Sequence, residues 1–348
     1  MSRVKLGDVA REHKETVKGD KSNYPIVGLE HLIPENIRLT QWDCNKENTF
    51  TKVFRKGCVL FGRRRAYLKK AAYADFDGIC SGDITVIEAI PGKILPELLP
   101  FVIQNDDLFD YAVGKSAGSL SPRVKWEHLK NYEFELPDIE KQRELAKMLW
   151  SIVETKESYE RLMLATDELV KSQFIELISS EIREVRLGDI ICYKAKSKIQ
   201  ARDGKLEGKY PLFNSSDEQT LWIDNYLYDN ETIFLPTGGK AAINYYKGKC
   251  SATTDNICFS GNEKYLTRYI YLSLWKDLGV LQKGFKGSGL QHISKEYVED
   301  IRIKAPDMET QNRIIEIANQ SDKSKFELEN CIKNAVSMYK KILKEYLE

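Results

Sequence analysis

The segment Pro137–Ser180 occurs twice in this chain, and that repetition restricts the fold more than any other feature. Pro137-Asp138-Ile139-Glu140-Lys141-Gln142-Arg143 returns 169 residues later as Pro306-Asp307-Met308-Glu309-Thr310-Gln311-Asn312, followed by Arg313. Beyond it Leu145, Leu149, Ile152, Tyr159, Met163, Val170 and Leu177 keep step with Ile314, Ala318, Ser321, Leu328, Ile332, Tyr339 and Tyr346. The spacing alternates three and four, the a/d seam of a long helix packed on another helix. Lys156 and Lys325 interrupt the seam at the same slot. Each copy opens with Pro then Asp, a good N-cap, and carries Glu140 or Glu309 in its first turn. With no Pro or Gly afterwards, each helix is expected to run roughly 60 Å at ~1.5 Å per residue.

The repetition reaches further back. Val4-Lys5-Leu6-Gly7-Asp8-Val9 opens the first half and Val185-Arg186-Leu187-Gly188-Asp189-Ile190 the second. Between these openings and the helices lie short β-like runs punctuated by Gly, Asn and Asp. The first half is expected to hold strands at 53–54, 58–61, 67–72, 84–90 and 132–135, with a helix at 95–105. The second is expected to hold strands at 232–235, 241–246, 256–259 and 300–304, with a helix at 265–276. Both halves end on a Gly-rich loop, Gly114–Leu120 and Gly284–Leu290. The expected fold class is α+β: two mainly-β lobes, residues 1–137 and 182–306, separated by long helices at 138–181 and 307–348. An antiparallel coiled coil with a pseudo-twofold internal repeat is favoured, because a parallel pair would need a long connection.

With 348 residues, 42% hydrophobic and a net charge of +1, the chain can bury real cores but shows no global attraction to polyanions. Local clusters must carry any such case. No apolar run suits a membrane span or a signal segment, so a soluble, cytoplasmic protein is expected. Seven cysteines without a CxxC pair fit reduced, mostly buried thiols better than zinc.

Three signals point to a nucleic-acid surface. Thr51–Ala74 is rich in Lys and Arg with no acid, and Phe54, Phe61, Tyr67 and Tyr73 are interleaved. Within it Arg63, Arg64, Arg65, Tyr67, Lys69 and Lys70 are the candidate contacts. Arg63–Arg65 follow Gly62 at a strand end, a loop tip, where a planar guanidinium fork suits phosphates and guanine edges. The plain alternative is a solvated basic face. The second lobe has a milder version in Thr237, Gly238, Lys240 and Tyr245, with Asn214, Ser215 and Ser216 upstream. Gly238-Gly239-Lys240 is no phosphate loop, since the required first Gly is missing and Ala241 stands where Ser/Thr is required. The third signal is the pair of Gly-Ser loops: Lys115, Ser116, Ser119 and Arg123, then Lys286, Ser288, Gln291 and His292. An ordinary flexible connection is their alternative reading.

Catalytic constellations are poor. The four histidines are far apart in sequence, and no adenine-methyltransferase motif or cofactor loop is present. Pro137-Asp138…Glu140-Lys141 looks like a nuclease metal motif, but it caps a helix, and the second copy has Thr310 in place of the lysine. No catalytic residue and no metal ligand is assigned.

The two Leu-Gly-Asp openings, the blocks Val59–Lys70 and Asp77–Asp83, and the two Pro-Asp…Gln helix starts resemble the specificity subunit of type I restriction–modification systems. The resemblance covers essentially the whole chain. It implies two target-recognition domains reading the two halves of a bipartite, asymmetric site in double-stranded DNA, with long helices setting the spacer. It also implies two modification subunits bound along those helices, supplying S-adenosylmethionine and flipping the target adenine. Restriction subunits would join through the complex, using ATP and Mg for translocation and cleavage. This chain would bind no cofactor, catalyse nothing and meet no membrane. Two other readings are a recognition subunit whose methyltransferase and nuclease are fused in one partner, and a coiled-coil adaptor binding proteins. The second lobe is about a dozen residues shorter than the first, so lobe-to-lobe transfer of base contacts is not implied.

Overall fold

A computed structural model describes residues 2–118, 121–216, 218–287, 289 and 291–347. The chain divides into two compact units, residues 1–161 with 328–348, and residues 162–327. The division cuts through both long helices, so each unit contains one lobe and a stretch of each helix.

In the first unit Ser2–Lys5 pairs antiparallel with Glu133–Leu136, the strand that runs into the Pro137-Asp138 cap. The turn Leu6–Val9 follows, and Gly7 donates its N–H to the Lys130 carbonyl at 2.8 Å. A Cβ at Gly7 would stand 3.0 Å from that of Lys130, which is why glycine sits in the motif. An antiparallel sheet then runs in the order Ala10–Glu12, Ile84–Ala89, Val59–Gly62, Ala71–Tyr73. A smaller sheet pairs Ile26–Val27 parallel to Gly78–Cys80, which also takes Lys52–Phe54 on its other side. Because side chains alternate along a strand, Leu60 joins Phe54 and Ile84 in the lobe interior. Its neighbour Phe61 joins Phe101, Phe109 and the helix residues Leu145 and Leu149.

The second unit repeats this plan. Glu184–Arg186 pairs with Arg302–Lys304, and Leu187–Asp189 forms one 3-10 turn. Gly188 lies against Glu299, whose Cβ would be 2.9 Å from an added methyl. The four-stranded sheet runs Ile191–Tyr193, Asn256–Gly261, Thr232–Pro236, Asn244–Tyr246. The lobes diverge in the smaller sheet. Tyr210–Phe213 is parallel to Ser251–Ala252, but the third strand, Leu221–Ile223, adds to the first partner of that pair rather than the second.

The helices span Ile139–Ile178 and Met308–Leu347. Asp138 accepts the Lys141 N–H at 3.0 Å and Asp307 that of Thr310 at 2.8 Å, so both caps form. The repeated glutamine has a structural task. Gln142 accepts the Leu95 N–H and donates to the Pro137 carbonyl, both at 2.9 Å. Gln311 accepts the Leu266 N–H at 3.0 Å and donates to the Lys264 and Pro306 carbonyls at 3.1 Å. Within each unit the helix stretches run antiparallel. In the first, Lys141 lies over the Tyr346 ring while Ile152 shares a groove with Ala335. In the second, Asp167 pairs with Lys325, and Val170 and Phe174 share a core with Ala318 and Ile314. The seam lysine Lys156 reaches Glu160 at 2.7 Å and Asn36 at 3.3 Å.

Several expected elements differ. Residues 67–72 are not one strand: Ala66–Leu68 is a 3-10 turn between Arg65 (φ 54°) and Lys69 (φ 49°), and pairing begins at Ala71. The β-branched residues that would hold an extended run are missing there. The helix expected at 95–105 is two, Leu99–Ile103 and Asp106–Gly114, because Asn105 accepts the Asp107 N–H at 3.0 Å and starts a new one. Only Asn244–Tyr246 of the strand expected at 241–246 pairs, and the strand expected at 300–304 is Arg302–Lys304. All seven cysteines are free thiols. Burial pushes Cys58 and Cys258 up to about 11 and Cys80 and Cys250 to about 12. No helix among the described residues is long and apolar enough to cross a membrane.

Candidate nucleic-acid interface

In the first unit the chain leaves the central strand Val59–Gly62 directly into Arg63, Arg64 and Arg65. Arg63 donates its N–H to the Asp83 carbonyl at 3.0 Å and accepts that of Val124 at 2.9 Å, while Arg65 donates to Pro122 at 2.8 Å. Arg123 exchanges two backbone bonds with Ala117, at 2.9 and 3.0 Å. The arginine tip and the Gly-Ser loop, about sixty residues apart in sequence, thus form one edge.

The second unit builds the same edge from other side chains. Thr237 donates its N–H to Asp255 at 2.8 Å and accepts that of Ile293 at 3.0 Å, and Gly239 donates to Gln291 at 3.2 Å. Lys286 and His292 exchange bonds at 2.9 and 3.0 Å. Ala117, Pro122, Arg123 and Val124 correspond to Lys286, Gln291, His292 and Ile293 at the same 169-residue offset as the long helices. His292 Nδ1 faces the Thr237 carbonyl at 3.2 Å. Its ring lies 3.1 Å from where a Cβ on Gly238 would be, so glycine there makes room for the imidazole.

Not every sequence candidate joins these edges. Lys69 turns to Asp106 at 2.5 Å, and Lys70 donates to the Leu29 carbonyl at 2.8 Å. Tyr245 packs against Tyr271 beneath the Arg268 guanidinium. Asn214 accepts the Ser216 N–H at 3.0 Å in a turn that receives the Asn244 amide at 3.0 Å, and Ser215 is exposed there. Ser116 donates to Ala112 at 2.8 Å and Lys115 lies over the Tyr111 ring, while Tyr67, Lys240, Lys286 and Gln291 are exposed. Ser119 and Ser288 lie outside the described residues.

Sequence reasoning missed where the acids come from. Thr51–Ala74 contains none, but the fold brings Glu15 and Asp77 to Arg55, Asp106 to Lys69, and Asp83 to Arg64 and Arg123. The Arg123 guanidinium holds the Asp83 carboxyl below the usual carboxylate range, with Arg64 and Arg63 adding to it. Much of the apparent basic excess is therefore internally balanced, and charge survives where the fold leaves it exposed, as at Arg65. Also missed was a cleft of about 390 Å³ beside Thr237 and Ile293. Lys194, Lys196 and Lys295 line it with Tyr193, Tyr228 and Asn256, and no acid among the described residues does. Lys194 and Lys196 could have been noticed as a basic pair after a strand; Lys295 carries no sequence signal, and Asp83, though it ends the block Asp77–Asp83, has nothing near it in sequence that marks Arg123 as its partner.

The comparisons with known proteins agree with this duplicated plan. The family model for the type I restriction modification DNA specificity domain matches residues 1–162 and again 179–338. The chain is 27% identical over 149 residues to the type I restriction enzyme MjaVIII specificity subunit of Methanocaldococcus jannaschii, covering 40% of this chain and 35% of that one. It is 26% identical over 136 residues to the type I restriction enzyme EcoDI specificity subunit of Escherichia coli, covering 38% and 30%. The matches thus span about a third of those relatives' length. The fold is similar to the type I restriction–modification S subunit from M. genitalium, with a TM-score of 0.57 at 15% identity over 98% of this chain and 95% of that one. It is also similar to a chain from a structure on complex assembly and conformational transition of the type I R-M system, with a TM-score of 0.55 at 19% identity over 99% and 97%. With both halves of the repeat matched, the chain belongs to the type I restriction modification DNA specificity domain family.

Proposed function

We propose that this chain is the DNA-recognition subunit of a type I restriction–modification complex, reading a bipartite, asymmetric site with one half-site per lobe. One observation carries this. Both units assemble the same edge from a strand-end tip and a Gly-rich loop, yet present Arg64 and Arg123 in one and Gly238 and His292 in the other. A common frame with different polar tips is what two unlike half-sites require, since backbone contacts position and side chains specify. The lobes at 1–137 and 182–306 are the reading heads, and the helices at 138–181 and 307–348 are the spacers. Partner subunits dock along the helices. In the first unit Met148, Ile152, Met338 and Ile342 line an open apolar groove of about 700 Å³, which suits protein contact. Two modification subunits and the restriction subunits bring S-adenosylmethionine, ATP and Mg. This chain binds none of these and catalyses nothing, and the complex works in the cytoplasm.

The test is to map methylated adenines in cells carrying this chain with its modification partner, against cells lacking the chain. A two-part motif with unlike halves, lost with the chain, is expected. A continuous motif, or one that survives the deletion, overturns the proposal.

A further inference from the structure

Arginine recognises guanine by presenting two parallel N–H groups to O6 and N7, but only if the side chain is held in the right plane. In the first unit Arg123 is held in that manner. Its Nε donates to Asp83 Oδ1 at 2.8 Å and its Nη2 to Oδ2 at 3.3 Å, so the carboxylate grips one side of the fork. This grip uses the Nε hydrogen and one Nη2 hydrogen. The other Nη2 hydrogen and the Nη1 pair remain at the end of the fork, the geometry for a second bidentate contact.

The support is ordered from behind. The Asp83 side chain is 21% exposed and that of Arg123 is 45%, so the carboxylate sits inside and the guanidinium outside. Asp83 is fixed through its carbonyl, which takes the Arg63 N–H, and through its N–H on Ser81 Oγ at 3.2 Å. Arg123 is fixed by its two bonds to Ala117. Arg64 flanks it: Nε donates to Ser121 Oγ at 2.8 Å and Nη1 lies 3.7 Å from Asp83 Oδ2. Among the described residues of the second unit this arrangement is absent. Asp255, in the slot of Asp83, offers its carbonyl to the Thr237 N–H and hydroxyl, and His292 replaces the arginine.

We propose that Asp83 is a positioning residue for base recognition, holding Arg123 side-on so that its outer edge reads a guanine in the half-site of the first unit. The inference rests on the DNA-recognition reading above and adds a base to it.

The experiment uses the assembled complex of this chain with its modification partner and equilibrium binding to duplexes carrying the mapped site. Each guanine of the first half-site is replaced in turn by 7-deazaguanine, which removes only N7, or by adenine with its matching thymine. With wild-type protein, one guanine is expected to show a loss of roughly 5- to 100-fold on exchange to A·T, and a smaller loss with 7-deazaguanine. Asp83→Asn and Arg123→Ala should erase most of that difference at the same base pair. Preference at every other position and in the second half-site should persist, and Arg123→Lys should not restore it. The 7-deazaguanine arm with wild-type protein needs no variant to fold. A first half-site without guanine, no N7-dependent position, or Asp83→Asn weakening all positions evenly would each overturn the inference. A wild-type complex with no sequence preference at all would instead overturn the functional reading beneath it.

Discussion

The glutamine repeated in both helix starts makes a sharp prediction. Gln142 is 3% exposed, and Gln142→Leu keeps its size while removing both polar ends. The Leu95 N–H and the Pro137 carbonyl are then left without their partner. An orphaned, largely buried backbone group costs about 1–3 kcal/mol. Leucine recovers about 1.5 kcal/mol or more through apolar burial. The net loss expected is about 2–3 kcal/mol for the first unit. Gln311→Leu strands three groups, those of Leu266, Lys264 and Pro306, and the expected loss in the second unit is about 3–4 kcal/mol. For units of this size 1 kcal/mol corresponds to about 2–4 °C, so shifts of about 5–15 °C are expected by calorimetry. Hydrogen exchange gives the local check. The Leu95 amide should lose protection in Gln142→Leu with Leu266 unaffected, and the reverse should hold in Gln311→Leu. If either variant stays within about 0.5 kcal/mol of wild type, or the named amide keeps its protection, the assignment of these glutamines as backbone clamps is refuted.

Other predictions concern the edges and their charges. Gly238→Ala should displace His292, whose ring is 3.1–3.2 Å from the new methyl, and weaken second-half-site binding at nearly unchanged thermal stability; unaltered binding would refute the contact. Arg64→Ala and Lys240→Ala should each reduce affinity for one half-site only, as measured on duplexes with one half scrambled. Replacing Lys194, Lys196 and Lys295 by Ala should flatten the dependence of log binding constant on log salt by about 1–3, at about 0.9 for each phosphate no longer neutralised; an unchanged slope would show that the cleft faces no phosphate. Because Arg123 depresses the Asp83 carboxyl in the folded state, that pairing stabilises above the ordinary carboxylate value and is lost as pH falls through the depressed one. Urea midpoints of wild type and Asp83→Asn should therefore converge as the pH is lowered through that window.

What the sequence could disclose depended on how local the cause was. The seam spacing, the Asp138 and Asp307 caps and the Leu-Gly-Asp openings were legible because each acts within a few residues or repeats at one offset. Near Tyr67 and Asn105 the reading failed. There a left-handed residue or a side-chain cap overrides the apolar pattern, and the pattern alone does not register either. The site was half legible: the arginine tip and the Gly-Ser loops were identified separately, while Lys69, Lys70 and Tyr245 turned out to be engaged within the lobes.

By itself, then, the sequence determined the duplicated plan, the two long helices and the presence of basic, turn-rich tips in both halves. Only the tertiary structure decided that tip and loop share one edge in each unit, and that Asp83, forty residues from Arg123, grips it from behind. The reason is physical. Helix periodicity and capping are written in neighbouring residues. Ion pairing across a sheet depends on which distant strand ends the fold brings within about 3 Å, and no spacing in the chain encodes that distance.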